Sequence, residues 1–555
     1  VTAPIIERAF LTLPGRQVHY RRGGSGPAIV LLHQSPKSSE ELVPLMELLA
    51  PHFTVLAPDR PGYGLSDPIL PPDEEPEIDV FVDAVAEFMD GLGLEKAGFY
   101  GIHTGAAIAT RFAVRYPARV QALVANGTLI MTAEERADFL ANYLTAFKPT
   151  WDGGHLAWLW SRMEEQSIFF PWHKRDPAAR MVYGLNWNGV QANTMAFLES
   201  GDNYRTAYRG ALAHEKEQDL VHLKVPARFV CAETDVLYPY LVRFPNLPHD
   251  VSIERVADAK AVDDFTLSFL KERVKADTPE LPSQTLAPAR RIGSALIRTS
   301  YGQIHIRGNM NASGRTILAL HDAGSSARAL QSILGGFSGR RPIVAPDLPG
   351  HGDSDPLASQ DGGIIASYAA CLAELLDRLK IDSVDIVSVG AGATAALAFA
   401  ERYPDRVANL AICNPFIVPP GRADEFAAEY VPSLDTEWSG AHLLRAWHFA
   451  REQDLFWPWF DKSAAAVLPL AIPASPQKIQ KRVVDLFKSA GIHAAYLSEI
   501  ARDTLPAKLQ KTAIPAHLFA NPGAPARSAL EDIAPIAPLP GNEIGWAAII
   551  LEALG

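Results

Sequence analysis

Gly98-Phe-Tyr-Gly101-Ile-His103-Thr-Gly105-Ala-Ala is the stretch that decides how the chain is read. An apolar run ends in a turn of the form small-x-His-x-small, and Ala106 to Arg115 continue with a helical pattern. The plan is a strand, a sharp turn and a helix. In such an elbow the flanking residues have to be small, because the apex residue is held in a strained backbone conformation and the strand and helix pass close on either side. Gly101 and Gly105 meet that requirement, and the residue at the apex is His103.

Outward from the elbow the chain repeats itself. Gln17-Val-His19-Tyr returns as Gln303-Ile-His305-Ile, and Ile29-Val-Leu-Leu-His33 as Leu318-Ala-Leu-His321. Asp59-Arg-Pro-Gly-Tyr-Gly-Leu-Ser-Asp67 returns as Asp347-Leu-Pro-Gly-His-Gly-Asp-Ser-Asp355. Arg115-Tyr-Pro-Ala-Arg-Val120 pairs with Arg402-Tyr-Pro-Asp-Arg-Val407, and His155 through Trp172 with His442 through Trp459. The offset of 287 between these last pairs (403 − 116 and 442 − 155) makes Gly390 the partner of His103, so the second elbow has no side chain at its apex.

A chain of 555 residues is too long for one core and fits two domains. In each half, short runs of Val, Ile, Leu and Phe alternate with helical patterns such as Asp79 to Leu92 and Ser367 to Leu379. This predicts an α/β architecture, a mainly parallel, doubly wound sheet in each half. Long Trp-rich helical stretches, about 132–223 and 419–509, interrupt the alternation and read as cap insertions. The expected division is a first domain over 1–275, a Pro- and charge-rich linker over 276–292 and a second domain over 293–555.

The net charge of −12, without a basic cluster, argues against nucleic acid and anionic membrane surfaces as partners. No run reaches the ~18 apolar residues of a membrane span. The expected partner is a small-molecule substrate and the expected location the cytoplasm. Cys231, Cys371 and Cys413 are far apart and lie in or beside apolar runs, as buried thiols do. No phosphate loop, metal cluster or redox motif is found, so neither a cofactor nor a metal is expected.

Each half resembles the α/β-hydrolase superfamily, of the capped esterase, epoxide hydrolase and haloalkane dehalogenase kind. The carriers are His33-Gln34-Ser35-Pro36, similar to the family's oxyanion stretch, the Asp59 to Asp67 turn, the elbow, and Glu233-Thr-Asp235, similar to the segment that bears the acid. The pattern departs from the family in two places. The apex is His103 instead of Ser, Asp or Cys, and the loop Ser252 to Lys260, where the base belongs, contains no histidine. In the second half Gly390, Ala524 and Pro540-Gly-Asn542-Glu543 occupy the three positions, which reads as a degenerate copy.

The resemblance implies an oxyanion hole from the backbone amides of Ser35 and Thr104, with the Ser35 hydroxyl or Gln34 amide as further donors. Asp235 is the candidate to orient His103, provided that it reaches. His103 then serves as general base on an ester, lactone or activated ketone, as the base of a lyase or isomerase, or as a nucleophile. The general base is preferred, and a non-catalytic small-molecule binder is the alternative from another class. His155, Trp158, Phe170 and Trp172 of the cap are candidate substrate contacts, with Tyr208 and His214 as accessory donors. The two halves are expected to pair as a pseudo-dimer within one chain.

Overall fold

In the computed structural model, which describes residues 5–181, 184–282, 284, 292–358, 362–469, 473–503 and 505–555, the apolar runs on either side of the elbow become strands. They are β1 (Glu7–Leu13), β2 (Arg16–Gly23), β3 (Ala28–Leu32), β4 (Thr54–Pro58), β5 (Ala97–Ile102), β6 (Val120–Asn126), β7 (Ala227–Ala232) and β8 (Val251–Val256). The sheet order is β1-β2-β4-β3-β5-β6-β7-β8. β1 and β2 form an antiparallel pair, β2 meets β4 antiparallel, and all later pairings are parallel.

β3 and β4 are buried at every residue, which is why they read as continuous apolar runs instead of alternating ones. On one face Ile29, Leu31, Val55 and Tyr100 pack with Met46 and Leu49 of the helix Val43–Leu49 and with Phe269 and Leu270 of the helix Ala259–Arg273. Each such fully buried side chain contributes about 1.5–3 kcal/mol relative to exposure. On the opposite face Phe99 packs its ring 4.8 Å from that of Phe112 in the helix Thr104–Arg115.

The second sheet repeats the first. β9 (Gly293–Thr299), β10 (Gly302–Asn309), β11 (Thr316–Leu320), β12 (Ile343–Pro346), β13 (Val384–Val389), β14 (Val407–Cys413), β15 (Ala516–Ala520) and β16 (Ile536–Pro538) lie in the order β9-β10-β12-β11-β13-β14-β15-β16. Helical insertions separate β6 from β7 and β14 from β15. The first contains Ala133–Asp138, Gly154–Ile168, Trp187–Ser200, Tyr204–Ala213 and Lys216–His222. Thr132 and Glu135 open it with reciprocal hydrogen bonds that satisfy two otherwise orphaned amides.

The chain divides into one compact unit of Val1–Lys148 and Trp158–Thr285 and another of Pro149–Ala157 and Leu286–Gly555. Of the linker, 276–282 form no helix or strand, while 283 and 285–291 lie outside the described residues. The three cysteines are buried and unbridged. Among the described residues no helix is long and apolar enough to cross a membrane.

Candidate functional site

The elbow is built as its glycines require. A Cβ on Gly101 would lie 2.4 Å from the carbonyl oxygen of Gly105, and one on Gly105 would lie 2.1 Å from that of Leu32. His103 sits at φ 46°, a left-handed conformation that non-glycine residues rarely adopt. Two backbone bonds hold it there: its amide donates to the Asn126 carbonyl at 2.8 Å, and its carbonyl accepts from Ala107 at 3.1 Å.

Asp235 follows β7, two strands away from β5 in the sheet and therefore about 10 Å off at ordinary strand spacing. The gap is closed by side chains from both sides, His103 Nε2 lying 2.9 Å from Asp235 Oδ2. Gly127, immediately after β6, leaves the way clear. A Cβ there would lie 2.4 Å from His103 Cδ2, 2.8 Å from Nε2 and 3.6 Å from Asp235 Oδ2.

Burial opposes ionisation of Asp235, but the neighbouring His103 and the Leu237 amide, which donates to Oδ1 at 2.8 Å, outweigh it and hold the carboxyl below its usual range. A carboxylate only accepts, so the short contact places a proton on His103 Nε2, and in the neutral ring the lone pair is then on Nδ1. The loop after β8 supplies no competing base: Asp258 caps the following helix by accepting from the Ala261 amide at 2.9 Å.

Ser35 is buried beside the elbow, its amide 3.3 Å from Thr104 Oγ1. Its hydroxyl lies 2.9 Å from that of Tyr63 and accepts from Arg60 Nη2, also at 2.9 Å. His33 is a strut: Nε2 accepts the Arg60 amide at 2.9 Å and Nδ1 donates to the Gln34 carbonyl at 2.8 Å. Burial first, and then the Arg60 charge, push its pKa down to about 3, which keeps it neutral.

Gln34 is turned away from this group. Its amide nitrogen and Nε2 donate to the two carboxylate oxygens of Glu41 at 2.6 and 2.8 Å. Trp158, Phe170, Trp172 and Tyr208 gather in one cap cluster with Met131, Phe139 and Tyr143, and the Tyr208 hydroxyl lies 3.3 Å from that of Tyr143. His214 instead pairs with Asp219 at 2.5 Å, in an ion-pair network with Arg111 and Asp79. His155 belongs to the second unit, buried against Trp447 with Nε2 2.8 Å from Gln480 Oε1 and Nδ1 accepting the Thr150 amide. The residues around the elbow and cap cluster that sequence reasoning missed are Gly127, Tyr63, Arg60 and Tyr143. For Gly127 a signal existed, because the side chain absent there is present at its counterpart Asn414, where the apex is glycine.

The second elbow is filled differently. Gly390, at φ 59°, replaces His103, and Asp322, the counterpart of Gln34, turns inward. Asp322 Oδ1 accepts the amides of Ala323 at 2.8 Å and Ala391 at 2.7 Å, which correspond to the Ser35 and Thr104 amides. Nearby in sequence, His305, Asp347 and Asp353 are the one group among the described residues with spacing for a metal ion. Lys488 at 2.5 Å and Arg328 at 3.3 Å already neutralise Asp353, so the positive charge a cation would bring is in place.

Two sheets of identical order, each with an elbow after its fifth strand and a helical insertion after its sixth, define the α/β-hydrolase fold present twice. The family model described as alpha/beta hydrolase fold matches residues 27–159 and again 324–443, and the chain is a tandem α/β-hydrolase superfamily protein. Over 123 residues it is 36% identical to the bifunctional epoxide hydrolase 2 of Sus scrofa, covering 22% of this chain and 22% of that protein. It is 33% identical over 112 residues to an uncharacterized hydrolase of Saccharomyces cerevisiae, covering 20% of this chain and 38% of that one. A pimeloyl-(acyl-carrier protein) methyl ester esterase of Shewanella sp. is 33% identical over 123 residues, 22% of this chain and 43% of the esterase. The chain thus spans less than half the length of these relatives. Among solved structures, an epoxide hydrolase from Vigna radiata matches with 18% identity and a TM-score of 0.38, over 48% of this chain and 98% of that one.

Proposed function

We propose that the first unit is a cofactor-free hydrolase for a small, largely apolar or aromatic carbonyl compound, an ester, lactone or activated ketone, with His103 as its general base. The observation that carries the proposal is the 2.9 Å contact between His103 Nε2 and Asp235 in an elbow without a side-chain nucleophile. In this reading Nδ1 takes a proton from water, and the hydroxide formed adds to the carbonyl carbon. The carbonyl oxygen becomes an oxyanion that accepts the Thr104 amide and the Ser35 amide, the latter exchanging its 3.3 Å bond to Thr104 Oγ1 for the oxyanion. Collapse of the adduct breaks the bond to the leaving group, which takes the proton back from His103. Asp235 fixes the tautomer and stabilises the imidazolium between these steps. The cluster of Trp158, Phe170, Trp172 and Tyr208 supports an apolar substrate body, and the esterase and epoxide hydrolase among the relatives support hydrolysis.

The test compares wild type with His103→Ala on a panel of aryl esters, lactones and β-diketones. Loss of about 10²–10⁴ in kcat is expected, the range of a general base. Retained turnover in His103→Ala would sink the reading. The missing nucleophile equally favours a second reading, proton abstraction in a lyase or isomerase step. Product oxygen from ¹⁸O-labelled water separates the two, since only hydrolysis incorporates it.

A further inference from the structure

Arg60 and Arg162 are buried cations with unused donors. Arg60 is 2% exposed, its guanidinium lies 4.7 Å over the Tyr63 ring, and Nη2 donates to Ser35 Oγ at 2.9 Å. Among the described residues Nε and Nη1 have no partner. Arg162, 1% exposed, donates from Nη1 to Gln166 at 3.0 Å, while Nε and Nη2, the side-on fork, have none. The two are linked: the Tyr63 hydroxyl donates to the Tyr204 carbonyl at 2.7 Å, and the Tyr204 ring lies 5.7 Å from the Arg162 guanidinium.

The fold does not need either charge. In the second copy Leu348 stands in place of Arg60 and Phe449 in place of Arg162, both buried. The backbone duty is retained there, the Leu348 amide donating to His321 Nε2 at 2.9 Å as Arg60 does to His33. The unit with the His103 and Asp235 pair holds two guanidiniums where its duplicate is apolar. Glu41 and Asp59 act on the Arg60 charge without bonding its Nε or Nη1, and Arg162 lies against the rings of Tyr143, Trp172, Phe197 and Tyr204, but the open N–H groups of both remain costly unless an anion completes them.

We propose that Arg60 is a substrate-binding residue that takes a carboxylate of the substrate beside Ser35, with Arg162 as the second cation of the subsite. The substrate class, resting on the hydrolytic reading above, is then a carbonyl compound whose apolar body also bears a carboxylate. The free N–H groups on Nε and Nη1 of Arg60 each offer a charge-assisted hydrogen bond to a carboxylate oxygen, and Ser35 joins the subsite to the elbow.

The test uses the full chain. Benzoate and its neutral isostere benzamide are titrated by calorimetry into wild type, His103→Ala and Arg60→Leu, the last being the residue with which the second copy folds. Wild type and His103→Ala are expected to prefer benzoate by about tenfold or more, and Arg60→Leu to lose the preference. Equal binding of the two probes by wild type, no binding of benzoate, or a preference surviving in Arg60→Leu overturns the subsite. Turnover of 4-acetoxybenzoate against its methyl ester gives the second readout. The preference for the acid lies in KM and disappears in Arg60→Leu. If neither ester is turned over while the benzoate preference stands, hydrolysis fails and the carboxylate subsite remains.

Discussion

His103 is an unusual apex because it stands in the elbow and its Nε2 also lies 2.9 Å from the acid, Asp235, the pair on which the proposed general base rests. Replacing Asp235 by Asn keeps the shape but offers an amide that can also donate, so the His103 tautomer is no longer fixed. A fall in kcat of about 10²–10⁴ is expected for Asp235→Asn with little change in KM. A variant within threefold of wild type would leave Asp235 no orienting role. The depressed carboxyl pKa also gives stability a pH signature. The contribution is complete above about pH 4, the unfolded value, and is lost as pH falls through the lower folded value. The stability difference between wild type and Asp235→Asn therefore closes on acidification, which denaturant titrations at pH 6 and pH 3 can read. The identity of both partners was visible in sequence, but their contact was not. It depends on the φ of 46° at His103 and on what lies over the end of β6, and neither is written in residue spacing.

At the scale of the element, the strand–turn–helix elbow separates two kinds of glycine. Gly105 meets backbone, and backbone cannot yield: a Cβ 2.1 Å from the Leu32 carbonyl forces strand and helix apart, so Gly105→Ala is expected not to give folded protein. Gly127 meets the His103 ring, which can swing. Gly127→Ala is expected to fold, with about 1 kcal/mol lost to the left-handed φ, and to lose turnover at least tenfold as the imidazole leaves Asp235. Circular dichroism and kcat on the two variants check the pair, and a fully active Gly127→Ala would contradict the packing. The elbow, both sheets and the helical insertions were legible because apolar periodicity and small-residue constraints are local and written twice in the chain. The cap side chains were less so. His214, an expected accessory donor, is held by Asp219, and Gln34 is held by Glu41. In each case the deciding partner is a carboxylate that a helix or turn brings alongside, and helical or strand period does not reveal it.

Across the whole molecule, buried neutral imidazoles lower stability in acid, opposed by the Asp485 carboxyl, which burial pushes up to about 7 and which gains stability on acidification. His33 is pushed down to about 3, His442 and His493 to about 4, each chiefly by burial, and His321 and His351 are lowered as well. Such groups take up protons in the unfolded chain before the folded one, so stability falls as pH drops below about 6.5. Each of the first three costs about 2 kcal/mol at pH 5. Denaturant midpoints are expected to fall from about pH 6.5 to 5, and a flat or rising profile would contradict the buried neutral state. The duplicated plan adds something that no single domain offers. Asp322 places a carboxylate oxygen between the amides of Ala323 and Ala391, at 2.8 and 2.7 Å. The second copy thus holds permanently, between two matching amides, an acceptor oxygen of the kind that the first, as we propose, holds only for the lifetime of an adduct. Ligand design for the first unit has a template inside the same polypeptide: a carboxylate or boronate oxygen set against Ser35 and Thr104 as Asp322 Oδ1 is set against its two amides.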